Sequence, residues 1–148
     1  MWQRLAEELD TLLDSSDNPI TTLANSAAFL FPAIGRINWL GFYLYDGTKL
    51  YLGPFAGKPA CTSIELGKGV CGTSAEKREV IVVDDVEQFP GHIACDPDSS
   101  SEIVIPLILS NGSLFGVFDI DSAEIARFGQ EEKDGLIEIA GIIARKIG

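Results

Sequence analysis

Apolar residues recur every three or four positions near both ends of the chain. The amino-terminal set predicts an amphipathic helix and comprises Trp2, Leu5, Ala6, Leu9, Leu12 and Leu13. Pro19 suits the first turn of a second helix, which Asp17 or Asn18 would cap and which runs toward Gly35. A last helix is predicted over residues 130–147, with one apolar face formed by Leu136, Ile139, Ala140 and Ile143.

Between these helices, apolar and aromatic runs bounded by turn residues predict strands at 37–45, 49–55, 62–66, 80–83, 103–109 and 114–120. Asp46-Gly47 and Asn111-Gly112 are hairpin turn signals. Residues 70–78 could form a short helix. Residues 84–101 form a long polar loop, and such loops are usually functional or disordered. The order of elements predicts an α+β fold, in which helices pack on an antiparallel sheet.

The composition narrows the class of protein. The 148 residues are 46% hydrophobic and 22% charged, as expected for one globular domain spanning 1–148. A net charge of −11 argues against binding to nucleic acid or to anionic membrane surfaces. No leader and no apolar run long enough to span a membrane is evident, so we expect a cytoplasmic protein with reduced thiols.

Three cysteines in glycine-rich loops carry the chemical potential of the chain: Cys61 in GKPAC, Cys71 in GKGVCG and Cys95 in FPGHIACD. An odd number argues against a lasting disulfide framework, although a transient bridge is allowed. A free cysteine is most often a small buried apolar residue, but the loop around Cys95 is polar. The negative charge of Asp96 beside it would raise the pKa of the Cys95 thiol, which makes an acidic setting poor for a simple thiolate nucleophile. The setting is suitable if the substrate must be protonated during the attack.

Two other interpretations of these motifs are weaker. GKGVCG matches GxGxxG, but the βαβ unit that dinucleotide binding requires is too short here. The spacing C-x9-C-x23-C, with His92 as a fourth ligand, lacks the close cysteine pairs of structural zinc sites. We therefore expect His92 at the surface or bonded to loop backbone, and we expect no metal.

Acidic and aromatic residues are the further candidates for a site. Asp119 and Asp121 lie two apart on a predicted strand and therefore share one face, while Glu102 ends the long loop. The two aspartates could form a solvated acidic surface or could bind a cation such as a ligand ammonium group. Trp39 and Tyr43 also share a strand face, either as core residues or as an aromatic wall for a ligand.

Six segments taken together resemble the free methionine-(R)-sulfoxide reductases, which are small GAF-domain enzymes. In chain order they are NWLGFYLYDG, LGPFAGKPAC, GKGVCG, FPGHIACD, SEIVIPL and GVFDIDS. The resemblance spans nearly the whole chain. It implies an antiparallel sheet flanked by helices that enclose a small-molecule pocket. Lys68 stands where the family often has Arg, and Phe118 where it often has Leu.

The same resemblance implies the chemistry. Cys95 is the nucleophile that becomes a sulfenic acid, and Cys61 and Cys71 are the recycling cysteines, in an order that the sequence leaves open. The substrate, free methionine sulfoxide, would contact Glu102, Asp119 and Asp121 and the aromatic residues Trp39 and Tyr43. Glu102 would also act on the sulfoxide oxygen. The resemblance implies no cofactor, an external thioredoxin-type dithiol reductant and a possible homodimer.

Two alternatives compete with an enzyme. A GAF module that senses a metabolite would share the glycine-rich turn, but it needs no nucleophilic cysteine with two partner cysteines. A zinc-stabilised structural domain would hold stoichiometric metal on its cysteines.

Overall fold

The computed structural model describes residues 1–92 and 95–148, so Ile93 and Ala94 of the FPGHIACD motif lie outside the described residues. The helices are α1 (Trp2–Leu12), α2 (Pro19–Ile34), α3 (Gly69–Lys77) and α4 (Gln130–Ile147). The strands are β1 (Trp39–Tyr45), β2 (Lys49–Gly57), β3 (Ser63–Glu65), β4 (Ile81–Val83), β5 (Ser101–Ile108) and β6 (Leu114–Ser122). A short 3-10 helix spans Val86–Gln88.

The six strands form one antiparallel sheet in the order β3-β2-β1-β6-β5-β4. Because side chains alternate across a strand, the sheet has two differently populated faces. One face packs on α1, α2 and α4, and its buried residues include Leu40, Phe42, Ile103, Phe118 and Ile120. The opposite face is covered by α3 and by loops. This second face carries the candidate site.

The helices follow the sequence prediction closely. Asn18 caps α2, because its side-chain Oδ1 accepts a hydrogen bond from the Ile20 N–H at 2.9 Å. Helix α4 has the predicted bounds and buries the predicted face. The predicted α+β class is confirmed, with an antiparallel sheet flanked by helices. No helix within the described ranges combines the length and apolar composition that a membrane span requires.

Two local predictions need correction. Strand β5 begins at Ser101 rather than at Ile103, because Ser101 and Glu102 pair with Ser122 and Asp121 of β6. Polar side chains concealed this extension, since the strand prediction relied on apolar residues. Cys71 does not lie in an irregular loop: it is buried within α3 and only 5% exposed.

Candidate active site

Three strands present a row of functional side chains. Trp39 of β1 pairs with Asp121 of β6, which in turn pairs with Glu102 of β5. Asp119 lies two residues before Asp121 on the same face, whereas Phe118 and Ile120 point into the opposite core. Trp39, Glu102, Asp119 and Asp121 line one cavity, together with Tyr43. The register of the sheet therefore gathers residues from distant parts of the chain.

The three carboxyl groups are buried. Glu102, Asp119 and Asp121 are only 6%, 5% and 7% exposed, so the acidic face is not solvated. Burial raises the pKa of Asp119 well above its usual range, and the charges of Asp121 and Glu102 add to this effect. Burial also raises the pKa of Asp121, with Glu102 as the next cause. The aspartates therefore hold protons at pH values where exposed aspartates are ionised.

One carboxylate oxygen has no partner. Oδ1 of Asp119 is buried and accepts no hydrogen bond from any described residue. A buried polar atom without a partner is costly, which suits a position that a ligand fills. Together with the raised pKa values, this oxygen gives the cavity both a proton supply and an unsatisfied acceptor.

Helix α3 brings Cys71 against this cluster. The Cys71 thiol donates a weak hydrogen bond to Glu102 Oε2 at 4.0 Å. Burial, followed by the charges of Asp119 and Glu102, raises the pKa of the Cys71 thiol well above its ordinary value. Gly72, the last glycine of the GKGVCG motif, lets α3 lie close to β3. A Cβ at this position would be only 2.3 Å from the Glu65 carbonyl oxygen. The glycine-rich motif thus serves close packing of α3 on β3.

The other two cysteines are joined by a disulfide between Cys61 and Cys95, with their Cα atoms 5.3 Å apart. Cys61 lies in the connection between β2 and β3, and Cys95 lies in the long loop before β5. Cys95 lines the cavity, as does Cys71. An intramolecular bridge involving Cys95 agrees with the family resemblance, which left the choice of partner open.

The aromatic pair is both core and wall. Trp39 and Tyr43 are each 2% exposed and stack with ring centroids 6.0 Å apart. Phe55 stacks on Trp39 at 5.3 Å and supports it from β2. The two interpretations of the pair are therefore compatible, since these rings pack in the second core and also line the cavity.

The structure adds one residue that the sequence prediction placed elsewhere. His92 is neither exposed nor engaged only through its backbone: its side chain is 17% exposed, and its Nε2 lies 3.8 Å from Glu102 Oε1. It lines the cavity beside the carboxyl cluster. The signal for this position was its location three residues before Cys95 in the same motif.

A metal ion, if bound, would find donors in Cys71, Glu102 and Asp119, whose ligand atoms lie within 4.8 Å of one another.

The arrangement can perform redox chemistry on a small polar molecule. It offers a cysteine that already forms a disulfide, a buried proton reservoir of carboxyl groups and a flat aromatic wall. An ammonium group would neutralise the like charges that face each other across β5 and β6. An oxygen atom of a ligand could accept a proton from the carboxyl groups. The cavity thus suits a small substrate that carries an ammonium group and an oxygen atom able to take up a proton.

Comparisons with known proteins agree with this chemistry. A profile described as the GAF domain matches residues 19–147. The free methionine-R-sulfoxide reductase of Escherichia coli (strain K12) is 44% identical over 135 residues, which are 91% of this chain and 81% of that protein. The protein of the same name from Saccharomyces cerevisiae is 40% identical over 148 residues and is similar over 95% of this chain and 82% of its own length.

A solved structure is similar to this chain in both fold and sequence. The X-ray structure of free methionine-R-sulfoxide reductase from Neisseria meningitidis, in complex with its substrate, has a TM-score of 0.90 and 39% sequence identity to this chain. The match covers 99% of this chain and 87% of the other.

Proposed function

Because the chain belongs to the GAF-domain free methionine-(R)-sulfoxide reductases, we propose that it reduces the (R)-sulfoxide of free methionine to methionine. The observation that carries the proposal is the position of Cys95, which lines the cavity of buried carboxyl groups while bonded to Cys61. A nucleophilic cysteine beside a proton source, with a second cysteine in reach, is what sulfoxide reduction by thiols requires.

The substrate fits the cavity by charge and polarity. The ammonium group binds Asp119 and Asp121, which are buried and line the cavity. The methylsulfinyl end lies against the stacked rings of Trp39 and Tyr43, where sulfur and rings make favourable contacts. Both ends of a free amino acid are then enclosed, which favours free substrate over a methionine within a peptide.

The carboxyl groups supply the proton that the sulfoxide oxygen needs as it is transferred to Cys95. Glu102 acts on the sulfoxide oxygen, and the protons held by Asp119 and Asp121 are available beside it. Arrival of the substrate ammonium stabilises the ionised form of both aspartates and so lowers their pKa. Substrate binding therefore releases a proton at the place where the sulfoxide takes it up.

Three balanced steps complete the cycle. The Cys95 sulfur attacks the sulfoxide sulfur while the sulfoxide oxygen takes up a proton from the carboxyl groups. The hydroxyl then moves to the Cys95 sulfur: the S–O bond to methionine breaks, the S–O bond of a Cys95 sulfenic acid forms, methionine leaves, and the thiol proton returns to the carboxyl groups. The Cys61 thiol then attacks this sulfenic sulfur, an S–S bond forms, and water leaves with the oxygen. A thioredoxin-type dithiol exchanges with the disulfide and restores both thiols while it is itself oxidised. We assign the resolving role to Cys61 because it is the partner of Cys95 in this structure.

The test is a dithiol-coupled assay with free methionine (R)-sulfoxide and (S)-sulfoxide on the wild type and on Cys95→Ser. We expect turnover with the (R) isomer only, and loss of at least a thousandfold in kcat with Cys95→Ser, because the covalent route is removed. Cys71→Ser is the matched control and should retain the formation of the Cys61–Cys95 disulfide. Undiminished turnover in Cys95→Ser, or equal turnover of both isomers, would disprove the proposal.

A further inference from the structure

Two side chains of the aromatic wall also bind the loop that carries Cys61. The Tyr43 hydroxyl donates a hydrogen bond to the backbone carbonyl oxygen of Cys61 at 2.9 Å. The Trp39 indole N–H donates to the carbonyl oxygen of Lys58 at 3.0 Å. Both rings are 2% exposed and fixed by stacking, so they are rigid points of attachment. The loop between β2 and β3 is thereby held at both of its ends by β1.

The residue before β1 holds the other cysteine loop. Asn38 donates from Nδ2 to Asp96 Oδ2 at 2.9 Å and to Ser99 Oγ at 3.2 Å. Its own backbone N–H donates to the carbonyl oxygen of Asp121 at 2.9 Å. Asn38 therefore connects the end of β6, at Asp121, to the segment that follows Cys95. It was not among the candidate residues predicted from the sequence.

An ion pair joins the two loops directly. Lys58 and Asp98 interact through Nζ and Oδ2. Lys58 lies three residues before Cys61, and Asp98 lies three residues after Cys95. Both side chains are more than half exposed, so this pair contributes little by itself. The part-buried hydrogen bonds from Asn38, Trp39 and Tyr43 are better shielded from water than this ion pair and are therefore the stronger non-covalent attachments of the two loops.

We propose that Asn38 and the polar atoms of Tyr43 and Trp39 are positioning groups for the resolving step, in which they hold the Cys61 and Cys95 loops at bonding distance. This role rests on the proposed function, and it gives the aromatic residues a second task beside substrate binding. In the step, the Cys61 thiol sulfur is oxidised and the Cys95 sulfenic sulfur is reduced. The S–O bond breaks, the S–S bond forms, and the hydroxyl leaves with the thiol proton as water.

The physical reason is effective concentration. Two sulfur atoms on separate loops react at a rate set by how often they meet in a productive geometry. Removal of one neutral hydrogen bond that holds a loop changes such a population by about fivefold. Removal of the Asn38 amide loosens the second loop by a separate set of contacts, so the two effects should multiply.

The experiment isolates the resolving step from substrate binding. Fully reduced protein is mixed with a small excess of hydrogen peroxide, which converts Cys95 to a sulfenic acid without methionine sulfoxide. Aliquots are quenched with dimedone, which traps the sulfenic acid, and mass spectrometry measures adduct and disulfide against time. We expect Tyr43→Phe and Asn38→Ala each to slow disulfide formation by about fivefold and to accumulate adduct on Cys95, relative to the wild type.

The chain offers a matched control. Tyr45 is on the same strand, and its hydroxyl donates to the Gly47 carbonyl oxygen at 2.9 Å within the β1–β2 hairpin. Tyr45→Phe deletes the same type of bond at a distance from both cysteine loops and should resolve at the wild-type rate. Wild-type disulfide formation in both Tyr43→Phe and Asn38→Ala, or equal slowing in Tyr45→Phe, would overturn the proposal.

A steady-state measurement separates positioning from binding. With methionine (R)-sulfoxide at saturating reductant, Asn38→Ala should lower kcat and KM by the same factor and leave kcat/KM within twofold, because it slows only a step that follows the release of methionine. If the peroxide experiment shows slow resolution while no sulfoxide is turned over by the wild type, the positioning role stands and the proposed substrate falls. If sulfoxide is reduced but the variants resolve normally, only the positioning role falls.

Discussion

Glu102 lies directly opposite Asp121 across the β5–β6 ladder, and both side chains are more than nine-tenths buried. Like charges in this cross-strand position repel each other, and Asp119 adds a third acid on the same face. The protein resolves the conflict by retaining protons, as the raised pKa values of the two aspartates show. A site that stores protons in the absence of ligand is suited to release them when a cation arrives.

The stability of the folded protein should depend on pH through its buried aspartates. In the unfolded chain Asp119 titrates near 3.8, whereas in the folded protein its pKa is well above that value. Above pH 3.8 the unfolded chain therefore binds fewer protons than the folded protein, so the free energy of unfolding falls as pH rises until the folded pKa is passed. The fall is at most about 1.4 kcal/mol per pH unit for each such group.

Asp119→Asn should remove its share of this slope, so the variant should gain stability relative to the wild type as pH rises from 4 to 8. Urea unfolding of the disulfide-bonded proteins across this range measures the difference. Asp46→Asn is the control: backbone hydrogen bonds from Lys49 and Thr48 lower the pKa of exposed Asp46, so its pH dependence lies near and below pH 3.8 and its curve should run parallel to that of the wild type from pH 5 to 8. Parallel pH curves for the wild type and Asp119→Asn would contradict the prediction.

The same two aspartates should also control the reaction with substrate. Asp119→Asn and Asp121→Asn should each lower kcat/KM for methionine (R)-sulfoxide by about tenfold or more, since a charge-assisted hydrogen bond to the ammonium group contributes about 1.5–3 kcal/mol. Initial rates over a range of substrate concentrations give this quantity. Asp134→Asn, on the exposed face of α4, should behave as the wild type. Unchanged kinetics in both aspartate variants would rule out the ammonium assignment.

Cys71 should be unreactive in the folded protein. Its thiol is 5% exposed, and burial raises its pKa, so both access and thiolate fraction are low. With the Cys61–Cys95 disulfide in place, iodoacetamide at pH 8 should modify less than a tenth of Cys71 in the time that fully labels an unfolded sample. Intact-mass measurement counts the adducts. Rapid stoichiometric labelling without denaturant would show that α3 opens readily.

Phe118 should act on stability without acting on the substrate. Its ring stacks on Phe42 with centroids 5.0 Å apart in the core opposite the cavity. Phe118→Leu introduces the residue that the family often has at this position. It should destabilise the protein by about 1–2 kcal/mol, because the aromatic pair is lost and the new side chain has a different shape. Urea unfolding tests this value, and KM should remain within twofold. A large change in KM would show that the core beneath Asp119 controls its position.

Much of this fold could be predicted from local patterns. The bounds of helix α4 agree with the sequence prediction because its apolar face repeats at the helical period. The Asn18 cap and the hairpin turns follow from side chains that bond to backbone a few residues away. Alternation along β6 placed Asp119 and Asp121 on one face and Phe118 on the other.

The site depended on contacts between distant segments. Local pattern could not show that Glu102 belongs to a strand, because only the ladder with Asp121 reveals this. It also could not choose between Cys61 and Cys71 as the partner of Cys95, or bring His92 into the cavity. Asn38 carried no signal at all, since its role is created by the loop that folds over it.

The sequence by itself therefore determined the elements, the faces of the strands and the inventory of reactive groups. These properties depend on neighbours within a few residues, whose periodicity and turn chemistry are visible in the chain. Only the tertiary structure decided strand register, burial of the acids and the pairing of the cysteines. Those properties depend on which distant segments exclude water together, and burial is also what raises the pKa of Asp119 and Asp121.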